Sequence, residues 1–286
     1  MLTELIEVAR PKQWYKNLIV FAAIFFSVNI FNFDMFYATT LAFIALCFLS
    51  SGSYVINDII DADTDKYHDN KKKRPIAAGK ISSKIAILWA VLLLLIGFIV
   101  SSYINRSFFL ISAILVLLMQ SYNLIFKNIP FADVSVLSTN FMLRAFAGAV
   151  AIDVPSSPWL ILGAYLLALF LSIAKRISDM RALGKKAIYY KKVFSVYTPE
   201  ILDKFLIMSA TLLFITYCLY LFLRAHLNLL LVMATIPITF FLIFRYYYIS
   251  IHNGDLTRDP EKVFSDIQMV IGMLLWLVIL FIGFYV

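Results

Sequence analysis

Residues 36–79 read FYATTLAFIALCFLSSGSYVINDIIDADTDKYHDNKKKRPIAAG. The first part, 36–56, is an uncharged and almost wholly apolar run. At about 1.5 Å of rise per residue it is long enough to cross roughly 30 Å of hydrocarbon as one helix. It then delivers five of the chain's seventeen acidic residues within Asp58–Asp69, and four cations follow at Lys71–Arg74. Carboxylates crowded at the mouth of a greasy helix predict a membrane protein with a polar site at one membrane face.

The rest of the chain agrees with that reading. Of 286 residues, 62% are hydrophobic and 15% are charged, whereas soluble domains lie near half apolar and about a quarter charged. Apolar runs recur along the sequence, so the fold class is all-α and polytopic. Nine spans are expected, near 17–33, 36–57, 84–104, 107–126, 132–152, 157–175, 201–224, 227–250 and 264–286. Polar residues interrupt the spans at 17–33 and 132–152. The longest polar stretches, near 58–83 and 176–200, are too short for a soluble domain, so a single integral-membrane domain over 1–286 is expected. Cys47 and Cys218 fall inside spans and read as small apolar fillers. The N-terminal MLTELIEVARPKQWYKN carries acids and aromatics and lacks a small-residue cleavage site, unlike a removable signal peptide.

The net charge of +8 is unevenly placed. The N-terminal segment and the loops after spans two, four, six and eight carry all the Lys and Arg except Arg106, Arg144 and Arg224. Basic loops stay in the cytoplasm, so the N-terminus and the acidic motif are expected there and the C-terminus outside. Acids contribute little to orientation, and their clustering needs another reason.

Asn57, Asp61 and Asp65 recur at i, i+4, i+8 and would share one stripe if the helix runs past the membrane face. Asp58 lies beside the stripe, while Asp63 and Asp69 point elsewhere. Amide and carboxylate oxygens are hard ligands, and no His or Cys stands in the stripe, so the donors suit Mg²⁺ or Mn²⁺. The bland reading is a solvated acidic helix end paired with Lys66 and the 71–74 cations. Like charges at i, i+4 disfavour a helix by about 0.2–0.5 kcal/mol per pair, so some positive partner is expected in either case. Lys71, Lys72, Lys73 and Arg74 can hold phosphate oxygens, with Arg74 suited to a bidentate grip. Pro75 and Gly79 mark turns. His68 reads as a phosphate or ribose contact or as a solvated side chain.

A second polar patch lies at the end of span six, where Lys175, Arg176 and Asp179 are followed by Arg181, Lys185 and Lys186. Placed four helices after the first, it suggests two similar halves facing a shared cavity, although no sequence repeat accompanies them. Its cations suit a substrate with several phosphates better than a neutral aromatic acceptor. Arg144 sits deep in span five, at an insertion cost of at least about 2.5 kcal/mol, and must face the interior and meet an anion, either an acid or a lipid phosphate. Tyr122, Asn123 and Asp133 lie where spans four and five meet the cytoplasmic face. Trp14 and Tyr15 read as interface anchors, and Lys12 and Lys16 as snorkelling or phosphate-facing cations.

NDIIDADTD resembles the N-D-x-x-D-x-x-x-D signature of the UbiA family of intramembrane prenyltransferases, nine-helix bundles with a central cavity open to the cytoplasmic face. Further segments, RPKQWYKNLIVFAA, FMLRAFAGA, AKRISDMRALG, VFSVYTPEILD and the FRYYYI and DPEKVFSD pair, resemble the decaprenyl-phosphate phosphoribosyltransferases within it, from residue 10 to about 270. The resemblance implies transfer of 5-phosphoribose from phosphoribosyl diphosphate to a polyprenyl phosphate with release of diphosphate, in a membrane and without nucleic acid. It implies Asn57, Asp58, Asp61 and Asp65 around Mg²⁺ and the diphosphate, with Asp58, Asp61, Asp65 and Asp179 as the catalytic acids. Lys71, Arg74, Lys175 and Arg176 would hold phosphates, and Lys16, Asn57, His68, Tyr122 and Arg144 complete the expected substrate contacts. Two positions depart from the pattern: Asp69 stands where Pro is frequent, and Asp179 where Glu is frequent. Aromatic prenyltransferases carry a second Asp-x-x-x-Asp, and the equivalent positions here are Lys175 and Asp179.

Three rival readings remain at this level: a transferase of prenyl groups from prenyl diphosphate to an aromatic or other small acceptor, a transporter, and a non-catalytic assembly factor. Transporters favour broken spans and mid-membrane charge, and here only Pro237 and Arg144 are of that kind. Lipid chain length, product fate and oligomeric state are not encoded legibly.

Overall fold

The computed structural model describes residues 1–66, 71–184, 187–223, 228–252, 254–258 and 260–286, without the side chains of 189, 190, 255, 260 and 261. All regular structure among them is helical. In chain order the helices are α1 (Leu2–Ala9), a 3-10 segment (Pro11–Val20), α2 (Phe21–Phe26), α3 (Phe33–Ile60), α4 (Ala62–Asp65), α5 (Ser83–Ile104), α6 (Arg106–Leu124), α7 (Ala132–Ala151), α8 (Pro158–Leu183), α9 (Ala187–Tyr190), α10 (Pro199–Leu223), α11 (Leu229–Met233), α12 (Thr235–His252), α13 (Gly254–Arg258) and α14 (Ile267–Tyr285). Eight stretches among the described residues are long and apolar enough to cross a membrane: α3, α5, α6, α7, α8, α10, α11–α12 taken together, and α14.

The segment expected as a span at 17–33 takes a different form. Pro11–Val20 winds as a 3-10 helix, α2 follows it directly, and the chain turns before α3 begins. The reason lies in the residues it must present to α3. In a 3-10 helix side chains three apart eclipse one another, so Trp14, Asn17 and Val20 form one column. Trp14 Nε1 donates to Ser51 Oγ at 2.9 Å, and Asn17 Nδ2 to Cys47 Sγ at 3.3 Å. Asn17 and Val20 are fully buried. At about 2.0 Å per 3-10 residue and 1.5 Å per α residue, the continuous run Pro11–Phe26 advances about 29 Å, close to the hydrocarbon thickness.

The span expected at 227–250 is interrupted at Ala234, between α11 and α12. Pro237 explains the break, because it has no N–H for the Met233 carbonyl and its ring crowds that oxygen.

The described chain divides into two compact units, Met1–Leu124 with Leu143–Ser156, and Ile125–Met142 with Ser157–Val286, and α7 contributes to both. In the first unit α3 packs on α5 through paired glycines. A Cβ on Gly52 would stand 2.8 Å from Leu94 Cγ, and one on Gly97 would stand 2.6 Å from Leu49 Cγ. Small residues at such contacts let membrane helices approach closely. Leu46, Leu49, Phe108, Leu115 and Ala147 fill one core of this unit, and Val8, Val55, Ile81 and Leu93 fill another. The core of the second unit gathers Phe170 and Ile177 of α8, Leu206 of α10, Tyr246 of α12 and the loop residues Val193 and Phe194.

Candidate functional site

The acidic motif sits on a helix that keeps going. α3 starts at an Asn32 cap, whose Oδ1 accepts from Met35 N–H at 3.1 Å. It runs past Asn57 and Asp58 to Ile60, and after one turn residue α4 carries the chain to Asp65. Backbone bonds from Asp61 N–H to the Asn57 carbonyl (2.9 Å) and from Asp65 N–H to the Asp61 carbonyl (2.8 Å) hold the two pieces nearly in register. The expected stripe therefore forms.

Two of its carboxylates are buried and paired with cations. Asp58 Oδ1 accepts from Arg10 Nη2 at 2.5 Å and from Arg74 Nη1 at 3.0 Å. The same Arg74 nitrogen donates to Asp65 Oδ2 at 2.6 Å, and Lys71 Nζ lies 3.5 Å from Asp65 Oδ1. Asp58 and Asp65 are 3% and 2% exposed, so this is a buried charge cluster rather than a solvated helix end. Arg74 is delivered by the expected turn, with the Ala78 and Lys80 N–H groups bonded to the carbonyls of Arg74 and Pro75 and Gly79 at φ +71°. Asp63 stays outside, where its hydrogen bond to Lys66 (2.8 Å) holds its carboxyl below the usual range. Asn57 and Asp61 are half-buried.

The donors at this helix end suit Mg²⁺ by type, but they form no protein cage. Among the described residues no three His, Cys, Asp or Glu side chains converge on a point. The three carboxylates expected there, Asp58, Asp61 and Asp65, thus do not form such a group, and Arg74 bridges Asp58 and Asp65. Mg²⁺ commonly takes one or two carboxylates and completes its shell with phosphate oxygens and water. That smaller demand fits: both guanidinium groups meet Asp58 on Oδ1, Oδ2 takes no part in those bonds, and Asp61 is accessible.

Elsewhere in the first unit, Arg144 is buried, its Nε donating to Asn17 Oδ1 at 2.9 Å and its Nη2 to Ser50 Oγ at 3.4 Å. Lys16 lies over the Tyr15 ring at 5.9 Å, and Tyr122 is half-buried near the end of α6. His68 falls outside the described residues, as do Asp69, Lys185 and Lys186.

The second patch is built within the second unit. Asp179 is buried and its Oδ1 pairs with Arg258 Nε at 3.2 Å. Lys175 Nζ donates to the Arg258 carbonyl at 2.5 Å, Ser178 Oγ meets Thr257 Oγ1 at 2.6 Å, and Arg181 donates to the Ile251 carbonyl. These bonds stitch the end of α8 to α13 and to the end of α12. Arg176 turns the other way, its Nε donating to Asp133 Oδ2 at 2.9 Å, and Tyr197 donates to Asp133 Oδ1. Burial, followed by the bond to Asp133, pushes the Tyr197 phenol well up. Lys191 lies close enough to Arg176, Asp179, Asp133 and Lys175 to feel their charges. Its burial, then the charge of Arg176, hold its ammonium pKa well below the ordinary value.

Four members of these clusters carried no role in the sequence reading: Arg10, Lys191, Tyr197 and Arg258. Arg10 and Tyr197 lie inside segments already singled out, RPKQWYKN and VFSVYTPEILD, and Arg258 stands two residues before DPEKVFSD's proline. The signal was present at the level of the segment, but not at that of the side chain.

Comparison with known proteins agrees with this architecture. The decaprenyl-phosphate phosphoribosyltransferase of Mycolicibacterium smegmatis is 29% identical over 290 residues, covering 97% of this chain and 91% of that protein. The enzyme of the same name from Corynebacterium glutamicum is also 29% identical, covering 99% and 87%. Among solved structures, a UbiA homologue from Archaeoglobus fulgidus bound to GPP and Mg²⁺ superposes with a TM-score of 0.73 at 22% identity, covering 96% of this chain and 99% of that one. Residues 17–278 match the model of the UbiA prenyltransferase family, and the chain is an integral membrane transferase belonging to that family.

Proposed function

We propose that the chain transfers 5-phosphoribose from phosphoribosyl diphosphate to a polyprenyl phosphate and releases diphosphate. The observation that carries this reading is the near full-length likeness to two enzymes named for that chemistry. The second patch supports it. Where an aromatic prenyltransferase would carry a second pair of carboxylates, this chain has one, Asp179, already neutralised by Arg258 and flanked by Lys175 and Arg176. Such a patch favours a substrate rich in phosphate.

In this reading Asp61 and the Oδ2 side of Asp58, with Asn57, would hold Mg²⁺, or Mn²⁺ in its place. When bound, the ion supplies charge neutralisation for the departing diphosphate. Lys71 and Arg74 take diphosphate oxygens, each exchanging a carboxylate partner for a phosphate one. In the first unit Arg144 would take a lipid phosphate, and in the second unit the α8 cations Lys175 and Arg176 would take a phosphate group of a substrate. An oxygen of the lipid phosphate attacks the anomeric carbon of the ribose. The new C–O bond forms as the bond to the diphosphate breaks, and the bonding electrons leave on the diphosphate oxygen. Attack opposite the leaving group inverts that carbon. The lipid phosphate is already anionic at neutral pH, so the protein's contribution is positioning and electrostatic stabilisation rather than proton abstraction. The motif and N-terminus face the cytoplasm in this proposal, where a soluble sugar diphosphate is available, and the C-terminus lies outside.

The deciding experiment incubates purified protein with labelled phosphoribosyl diphosphate, Mg²⁺ and polyprenyl phosphate, and reads the lipid product by mass spectrometry. A labelled phosphoribosyl lipid with equimolar diphosphate is the expected result. Turnover of a prenyl diphosphate with a small aromatic acceptor, and none of the sugar donor, would assign the chain to the other branch.

A further inference from the structure

Asp133, Tyr197 and Arg176 form a hydrogen-bonded chain inside the second unit, with exposures of 0%, 3% and 2%. They come from three parts of the sequence: the first turn of α7, the segment before α10 and the C-terminal part of α8. A local backbone feature sets the arrangement. Phe131 adopts φ +67°, an uncommon conformation for a bulky residue. Its N–H thereby reaches the Tyr197 hydroxyl at 2.8 Å, and its ring meets the Tyr197 ring edge-on at 5.3 Å. The Tyr197 hydroxyl accepts from the Phe131 N–H and donates its O–H to Asp133 Oδ1, while Asp133 Oδ2 accepts from Arg176 Nε at 2.9 Å. Both carboxylate oxygens are therefore committed.

A buried ion pair of this kind is weak evidence for stability, since apolar residues of like volume often do as well. Its geometric effect is more specific. A guanidinium is a rigid planar fork, and anchoring Nε to a fixed carboxylate sets the plane of the whole group. Anchoring Nε leaves the Nη1/Nη2 edge, the edge suited to a bidentate phosphate, in one defined plane. Lys175, which precedes it in sequence, adds positive charge beside it.

We infer that Asp133 and Tyr197 are positioning residues that act through Arg176, fixing its guanidinium for a phosphate group of the substrate. This rests on the proposed use of Arg176 as a phosphate contact, but not on which diphosphate ester the enzyme consumes. Tyr197 supplies orientation alone: it is not charged, and removing its hydroxyl leaves the ring in the core.

The test is a double-mutant cycle on the full chain in detergent, with inorganic diphosphate and Mg²⁺ as the probe and calorimetry as the readout. Hydrogen bonds to charged groups are the stronger kind, so Tyr197→Phe should weaken diphosphate binding about 10-fold. In an Arg176→Lys background, which lacks the fork, the same change should alter binding less than about 2-fold. Asp133→Asn keeps the shape of the carboxylate and should behave like Tyr197→Phe. Equal losses in both backgrounds, unchanged affinity in Tyr197→Phe or Asp133→Asn, or no diphosphate binding by the wild type would each overturn the inference. Coupled binding without turnover of phosphoribosyl diphosphate would overturn the proposed reaction and leave this inference standing.

Discussion

A single nitrogen of Arg74, Nη1, lies 3.0 Å from Asp58 Oδ1 and 2.6 Å from Asp65 Oδ2, joining two carboxylates that are seven residues apart on α3 and α4. The bridge closes the acidic motif on itself through a cation that arrives from the following turn. It offsets the repulsion between two neighbouring carboxylates.

Arg74→Ala should therefore destabilise the protein by about 3 kcal/mol, because two buried carboxylates lose their shared partner. Arg10 and Lys71 remain, which keeps the loss from being larger. Millimolar Mg²⁺ should restore part of the lost thermal midpoint in this variant and have little effect on the wild type. A midpoint unchanged by Arg74→Ala would show that the bridge contributes nothing to the fold.

Asp61 lies between the two bridged acids in sequence and is the most accessible carboxylate of the three. Asp61→Asn is expected to leave the thermal midpoint within about 0.5 kcal/mol of wild type and to lower turnover at least about 100-fold. Chelating divalent metal should silence the wild type in the same way, with recovery on adding Mg²⁺. Turnover near wild type in Asp61→Asn would remove this residue from the metal site.

The Arg258–Asp179 pair invites a cycle of its own. Arg258→Ala leaves Asp179 buried without its cation and should raise the Michaelis constant of the sugar donor and lower stability. Adding Asp179→Asn to that variant should recover stability, with a coupling of about 1–3 kcal/mol between the two changes. Strictly additive effects would mean that the 3.2 Å contact is incidental.

Asp266 caps α14 through Oδ1, which accepts from Met269 N–H at 3.0 Å, and pairs with Arg245 Nη2 through Oδ2 at 2.7 Å. The bond to Arg245 holds its carboxyl below the usual value. A depressed folded-state pKa stabilises the fold above the unfolded value of about 3.9 and loses that contribution as pH falls through the folded value. Asp266→Asn keeps a capping oxygen but not the charge, so it should cost about 1 kcal/mol at pH 7. The gap to wild type, read as thermal midpoint, should narrow as pH drops below about 4. A gap independent of pH would locate the effect in the cap alone.

How much of this was legible beforehand depended on whether the controlling interaction was local. The continuation of α3 into the acidic motif and the turn at Pro75 and Gly79 follow from periodicity and backbone chemistry, which the sequence displays directly, whereas the break at Ala234 replaces the continuous span expected at 227–250. The solvated exterior of Asp63 was equally readable. The partners of Asp58 were not, since Arg10 is 48 positions away and its approach depends on α1 packing against α3 and α5. Nor was the Tyr197 relay: a tyrosine in VFSVYTPEILD gives no hint that it bonds a residue 64 positions earlier. The 3-10 winding of Pro11–Val20 was missed because apolar windows measure length and hydrophobicity, not pitch.

That pitch has a consequence for Arg144. Wound at 3.6 residues per turn, the same segment would swing each third side chain by about 60° relative to the last, so Trp14 and Val20 would sit about 120° apart. Ser51 and the helix interior could not then both be served from one side, and Asn17 would be steered off the guanidinium it supplies with an oxygen. The tight coil at the start of the chain is in effect a ruler with three-residue divisions, and a one-residue insertion or deletion within it would withdraw the Asn17 oxygen from the Arg144 guanidinium more surely than replacing any single apolar residue around it.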